Sequence, residues 1–179
     1  MTEPLPVDRG TAVITGASSG IGAATAEALS AAGFHVALGA RRTERLHEVA
    51  ARCVGPTTVH QLDVTDDDSI MAAVAEVERA ANGGIMALVN NAGIAIGGPV
   101  EGLALDEWRQ QFEVNVIGVI RTTQLFFPLL SAPRQPGDTH PRRIINMGSV
   151  SGLFASPFIA PYAASKYAME ALSDSLRRE

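Results

Sequence analysis

The chain has 179 residues, 46% of them hydrophobic and 18% charged, the size and balance of one soluble globular domain with a full core. A formal charge of −5 and a sequence pI near 5.4 argue against nucleic acid or an anionic membrane surface as a general partner. Residues 1–9 are polar and proline-bearing without the order of a secretory signal, no apolar stretch is read as membrane-spanning, and a cytoplasmic location is the expectation. The single Cys53 cannot close an internal disulfide, and His35, His47, His60 and His140 offer no paired metal-ligand spacing, so neither a disulfide framework nor a metal site is expected.

Thr11–Thr15 is a short β-branched run that passes through Gly16-Ala-Ser-Ser-Gly20 into a helical pattern over residues 21–32, stopped by Gly33. The same alternation continues as strand His35–Ala40, helix 43–53, strand 57–62, helix 67–81 and strand 86–90, with short polar or glycine-bearing connections. Alternation of this kind builds a parallel sheet with helices on both faces, an α/β fold of three layers. A long helix is expected over residues 106–130 with Asp106 as its N-cap, followed by a proline-rich, charged loop over 131–141 and a strand over 143–147. The second half of that helix (Val114, Val116, Ile117, Val119, Ile120, Leu125, Phe126, Phe127) is apolar nearly all round, so burial by the sheet on one side and by another subunit on the other is expected. A final helix is expected over 162–179. It runs to the last residue without a C-cap glycine, and the fifth strand would be an apolar edge that more chain or a partner should cover.

The first strand-to-helix turn, Thr15-Gly16-Ala17-Ser18-Ser19-Gly20-Ile21-Gly22, presents backbone amides and a helix N-terminus of the kind that receives a pyrophosphate. Gly16 is assigned to the tight turn, Gly20 to backbone approach and Gly22 to close packing of helix on sheet. At the end of the second strand an NAD site would place an acid for the ribose hydroxyl, yet the chain reads Arg41-Arg42, two guanidinium groups that suit a 2′-phosphate and favour NADP(H) over NAD(H). Asp63, followed by Val64, is read either as an adenine contact or as a turn former. Asn90-Asn91-Ala92-Gly93 leaves the fourth strand where the strand order should reverse, and composition alone does not separate a ligand contact there from a plain turn.

Three further positions carry chemistry. Asn115 lies in the apolar stretch of the long helix, where a buried amide must find partners. Ser149, with Ser151 close by, follows the fifth strand, where a hydroxyl can donate to a substrate oxygen. Tyr162 and Lys166 stand four residues apart on one helix face. Bringing a phenol from a pKa of ~10 to ~7 needs roughly 4 kcal/mol. A unit charge ~4 Å away at an effective dielectric of ~20 supplies about that much. Between serine and tyrosine, residues 153–161 are mostly apolar (Leu153, Phe154, Phe158, Ile159), the character either of an apolar pocket wall or of a packing loop.

Taken in order, TGASSGIG, NNAG, Asn115, Ser149 and Tyr162-x-x-x-Lys166 resemble the short-chain dehydrogenase/reductase family over essentially the whole chain. The resemblance implies a Rossmann-like open parallel sheet, a nicotinamide dinucleotide bound by Gly16, Ser18, Ser19, Gly20, Ile21, Gly22, Arg41, Arg42, Asp63, Val64, Asn90, Ala92, Gly93, Tyr162 and Lys166, and no metal in the chemistry. It implies Tyr162 as general acid and base, Lys166 as the group that lowers the phenol pKa and binds the nicotinamide ribose, Ser149 as a donor to the substrate oxygen and Asn115 as holder of a relay water. An alcohol or carbonyl substrate of apolar type, steroid-like or retinoid-like, and a homodimer or homotetramer are implied as well. Members continue with a sixth strand, a covering helical segment and a seventh strand, so the chain is expected to be an incomplete record of a longer protein. The rival expectation is a non-catalytic nucleotide-binding or regulatory protein of the same fold.

Overall fold

The computed structural model describes residues 9–81, 84–133 and 141–179, and the expected loop at 131–141 and the expected character of residues 1–9 lie largely outside them. Five strands, β1 (Thr11–Thr15), β2 (His35–Ala40), β3 (Thr57–Gln61), β4 (Ile85–Asn90) and β5 (Arg143–Asn146), form one parallel sheet in the order β3-β2-β1-β4-β5. Because the chain leaves β1 toward β2 and β3 and then returns to the other side for β4, the carboxyl ends of β1 and β4 diverge. A crevice for ligands opens at that reversal.

The helices are α1 (Gly20–Ala31), α2 (Thr43–Ala50), α3 (Asp67–Ala80), α4 (Leu105–Phe112), α5 (Gly118–Ser131) and α6 (Ala160–Leu176). Successive strand residues point to opposite faces, and the core divides accordingly. Val13, Ala37 and Leu88 pack with Ile70 and Val77 of α3 and Phe126 of α5, whereas Ile14, Val36, Leu38 and Val89 pack on the other face with Ala23 and Ala26 of α1 and Leu46 of α2. This is the expected three-layer, Rossmann-like arrangement. Both faces of β1 are covered, which is why its five residues are all buried and read as a continuous apolar run.

The long helix differs from the sequence expectation. It begins at Leu105, and the main-chain amide of Ala104 donates to Glu107 Oε2 at 2.9 Å, so Asp106 is not the cap. Asp106 instead sits in the first turn and accepts from Arg109 Nη1 at 2.7 Å. Two acids in the opening turn both suit the positive helix end, and the one that reaches back to the free amide starts the helix. A π turn over Glu113–Ile117 then separates α4 from α5. The continuous run Leu105–Ser131, 27 residues, is long and apolar enough to cross a membrane by length and composition, which corrects the reading that no stretch reaches that length. Here it is a core element: Phe126 and Leu129 are buried against the sheet, while Ile117 and Phe127 are 41% and 53% exposed on the opposite side, so its second half is not buried all round.

Helix α6 begins at Ala160, two residues earlier than expected, because Pro161 fits the first turn, where its missing N–H has no helical partner to lose. β5 is the outer strand, with Ile145 39% exposed, and one further bond beyond its end, from Met147 N to Asn90 O at 3.0 Å, prolongs its pairing with β4.

Candidate active site and its nucleotide cavity

A cavity of about 300 Å³ opens at the carboxyl ends of β1, β2, β3 and β4, and the glycine turn forms one wall. Gly16 has φ of +66°, and a Cβ there would stand 2.7 Å from Ala92 Cα, so only glycine allows the turn to pass the exit of β4 so closely. At Gly22 a Cβ would strike the Asn91 amide and lie 2.5 Å from Gly16 O. Gly22 therefore makes room for the turn itself rather than for helix packing on the sheet. Gly20, at φ of +57°, faces open space, as a backbone that receives a ligand would.

Ser19 is the N-cap of α1 but makes no side-chain cap bond, and no acid stands in the first turn. The positive helix end is thus left for an anion. Ser18, Ser19 and Ile21 line the cavity beside it. Arg41 and Arg42 line the opposite rim, and Arg42 Nη2 donates to Ser18 Oγ at 3.1 Å and to Ser19 Oγ at 3.4 Å. Asp63 and Val64 close the far end. Asp63 forms the turn, its Oδ1 accepting from Thr65 N at 3.0 Å and Thr65 Oγ1 at 2.8 Å, and it also lines the cavity. Ala92 and Gly93 complete the lining between Gly16 and Val114. Uncapped helix amides, two guanidinium groups and an open glycine fit a phosphate-bearing nucleotide.

Asn90 stands just behind the cavity, 3% exposed, and its Nδ2 donates to Thr123 Oγ1 at 3.0 Å and Asn146 Oδ1 at 2.9 Å. It ties β4 to α5 and to β5. Its Oδ1 has no protein donor.

Of the four residues read as catalytic, Ser149 follows β5, Tyr162 and Lys166 stand on α6 and Asn115 lies in the π turn, all outside the cavity lining. Tyr162 occupies the first turn of α6, half-buried, and Lys166 one turn later brings its Nζ to 5.8 Å from the Tyr162 ring centroid. Lys166 Nζ donates to Met147 O at 2.5 Å, which anchors it to the end of β5. Burial pushes the Lys166 ammonium below its ordinary pKa, and the Glu170 carboxylate pulls the other way. Of the two serines, Ser149 Oγ accepts from Ser151 N at 3.1 Å, which leaves its own hydrogen to donate, whereas Ser151 is buried.

Asn115 is 2% exposed within the π turn. Its Oδ1 accepts from Ile94 N at 2.9 Å, and its Nδ2 donates to Ile94 O at 2.9 Å and Ser165 Oγ at 3.2 Å. Ile94 lines the cavity and Ser165 lies between Tyr162 and Lys166, so Asn115 joins the two halves of the site.

Sequence reasoning missed two contributors here. Thr15 Oγ1 donates to Val89 O and accepts from the amides of Asn91 and Ala92, both at 3.1 Å, and Asn91 Nδ2 donates to Thr15 O at 3.0 Å and Gly16 O at 3.1 Å. These bonds stitch the exit of β4 to the glycine turn. A polar residue closing an otherwise apolar strand, and the second of two adjacent asparagines, were the signals available.

A parallel sheet with this order, a glycine turn at its reversal and a cavity for a phosphate-bearing ligand define a Rossmann-like dinucleotide-binding protein. The family model for short chain dehydrogenases matches residues 10–179, and the chain belongs to that family. An NADPH-dependent 3-dehydrocapnine reductase of Ornithobacterium rhinotracheale is 38% identical over 171 residues, covering 94% of this chain and 59% of that protein. Among solved structures, an alcohol dehydrogenase of the archaeon Thermococcus sibiricus complexed with 5-hydroxy-NADP superposes with a TM-score of 0.82 at 32% identity over 94% of this chain and 70% of that one. A short chain dehydrogenase/reductase of Burkholderia phymatum in complex with NAD gives 0.83 at 31% identity, over 94% and 59%. The chain thus spans about 59% of the length of the curated relative.

Proposed function

We propose that this chain carries the cofactor-binding and catalytic residues of an NADP-dependent oxidoreductase that interconverts a secondary alcohol and a ketone or aldehyde of apolar character. The observation that carries the reading is the junction of β5 and α6: Lys166 Nζ, held on Met147 O, lies 5.8 Å from the Tyr162 ring, with Ser149 fixed by Ser151 N nearby in the chain. NADP(H) rather than NAD(H) is favoured by Arg41 and Arg42 at the end of β2 and the absence of an acid there. The NADPH-dependent relative points the same way.

When bound, the reduced dinucleotide supplies a hydride to the carbonyl carbon. Tyr162 gives its phenolic proton to the carbonyl oxygen and takes it back in the oxidative direction. The Lys166 ammonium stabilises the resulting phenolate, and Ser149 donates to the same substrate oxygen. Both hydrogens of Asn115 Nδ2 are taken, by Ile94 O and Ser165 Oγ, so a relay water that returns the proton meets the remaining lone pair of Oδ1 or the main chain. Val150, Leu153, Phe154 and Phe158 are 75%, 76%, 65% and 67% exposed beside these groups, which suits an apolar substrate. The exposed face of the π turn and α5, with Ile117 and Phe127, suits a homodimer or homotetramer, and a cytoplasmic setting accords with the charge balance.

The test replaces Tyr162 by Phe in the expressed protein. Turnover of a good carbonyl substrate should fall by about 10³-fold, in the range expected for loss of a positioned general acid, while NADPH titrates by fluorescence as before. Parent-rate turnover by this variant would overturn the assignment. Tight NADPH binding by the parent with no turnover across a carbonyl panel would favour a non-catalytic, regulatory role.

A further inference from the structure

Gln111 has a fully buried side chain on the last turn of α4, and nothing in the reaction scheme above uses it. Its carboxamide makes two short bonds to one stretch of backbone: Nε2 donates to Ile94 O at 2.8 Å, and Oε1 accepts from Ile96 N at 2.7 Å. In a parallel ladder, one residue donates to the carbonyl before its partner and accepts from the amide after it. Gln111 reproduces that pattern around Ala95 with a side chain, standing where a neighbouring strand would stand. Asn115, four residues on, takes Ile94 N and the second position on Ile94 O. Two buried amides thus hold the extended segment that leaves β4.

That segment has work at both ends. Ile94 lines the nucleotide cavity. At the other end Gly98 N donates to Phe158 O at 2.7 Å, and a Cβ on Gly97 would come within 2.8 Å of the same oxygen. Phe158 is the one non-glycine residue with positive φ among the described residues, at +66°, and it stands four residues ahead of Tyr162. A bulky residue held in the left-handed region persists only where its surroundings impose it. The bond from Gly98 is one such constraint, and Gln111 aims the segment that supplies it.

We propose that Gln111 is a positioning residue: through the Ile94–Ile96 backbone and the Gly98–Phe158 bond, its carboxamide sets the loop that carries the chain into Tyr162. The proposal rests on the oxidoreductase reading above and adds to it a residue that touches neither cofactor nor substrate. Misplacement of a reacting group by about 1 Å can cost about 100-fold in rate, so the effect should fall on kcat.

Gln111→Met keeps the length and removes both bonds. In the expressed protein it should lower kcat by roughly 10- to 100-fold while the NADPH dissociation constant changes by less than about 2-fold. Gln111→Glu is the rescue: a protonated carboxyl can donate to Ile94 O and accept from Ile96 N, so kcat should recover toward acid pH, whereas the Met variant stays slow throughout. Parent kcat in the Met variant would overturn the proposal, and so would a loss of NADPH affinity equal to the loss of kcat. Hydrogen exchange of the Ile96 amide in the unsubstituted protein tests the clamp even where a variant fails to fold. Slow exchange supports it, and exchange as fast as an exposed loop overturns it. A parent protein that reduces no carbonyl compound would instead sink the oxidoreductase reading, with Ile96 exchange still deciding the clamp.

Discussion

The two ends of the site are built differently. Around the glycine turn, Thr15, Asn91 and Arg42 tie backbone and hydroxyl groups together, and the walls close around a cavity at the carboxyl ends of β1, β2, β3 and β4. Around Ser149 and Tyr162 the polar groups are anchored, but Val150, Leu153, Phe154 and Phe158 stand open over a short stretch of loop. A nucleotide has the same phosphates and riboses in every enzyme that binds it, so its cradle can be finished by the backbone of one sheet. The second region offers apolar surface and few bonds, as the proposed apolar substrate would require. The contrast teaches that the nucleotide cavity is closed by backbone bonds within the sheet, whereas the region around Ser149 and Tyr162 is anchored at a few polar groups and otherwise open.

The sharpest way to break that contrast is at the turn. Gly16→Val places a branched side chain against the Ala92 backbone and at a positive φ, and should cost about 3 kcal/mol of stability together with NADPH binding. Thermal unfolding and fluorescence titration check it; a variant that binds NADPH as the parent does would mean that the turn is not the cradle. Next in size, Arg42→Ala and Arg41→Ala each remove a charged donor from the rim. Loss of about 1.5–3 kcal/mol for such a bond corresponds to roughly 10- to 100-fold weaker NADPH binding, with NADH affected far less. Equal loss for both cofactors in isothermal titration would remove the 2′-phosphate role.

The smallest expected effect lies at the other end. Burial lowers the Lys166 pKa, so the ammonium loses its proton at lower pH than an ordinary lysine, and the alkaline limb of kcat/KM should begin correspondingly early. Glu170 opposes that shift, hence Glu170→Gln should move the limb further toward neutral pH without changing the acid side. A limb that stays in place, measured in overlapping buffers, would show that a different group sets it.

Much of this architecture was legible because periodicity and glycine placement are local. The alternation of strand and helix, the turn after β1 and the spacing of Tyr162 and Lys166 each follow from a few neighbouring residues. The start of α4 misled because Asp106 and Glu107 both suit a helix N-terminus, and only geometry decides which one reaches Ala104 N. Gln111 was passed over because a glutamine on an amphipathic helix reads as solvent-facing, and the backbone that satisfies it is 15 residues away in sequence. The π turn left no mark in composition at all, since a widened turn uses the same residues as an ordinary one.

That turn decides what a change of length in the long helical run would cost. Glu113–Ile117 holds one more residue per hydrogen-bonded ring than the helix on either side. Removing a single residue there would close the run into a regular helix with little rotation of what lies beyond, because the widened turn is where the extra residue is absorbed. Phe126 and Leu129 would keep their places in the core and Thr123 its bond to Asn90, while Asn115, which the turn itself carries, would be drawn away from Ile94 and Ser165. The extra residue therefore serves the site and not the core: it lets one continuous run pack on the sheet beyond the turn and still carry a buried amide across to the loop after β4 and to α6.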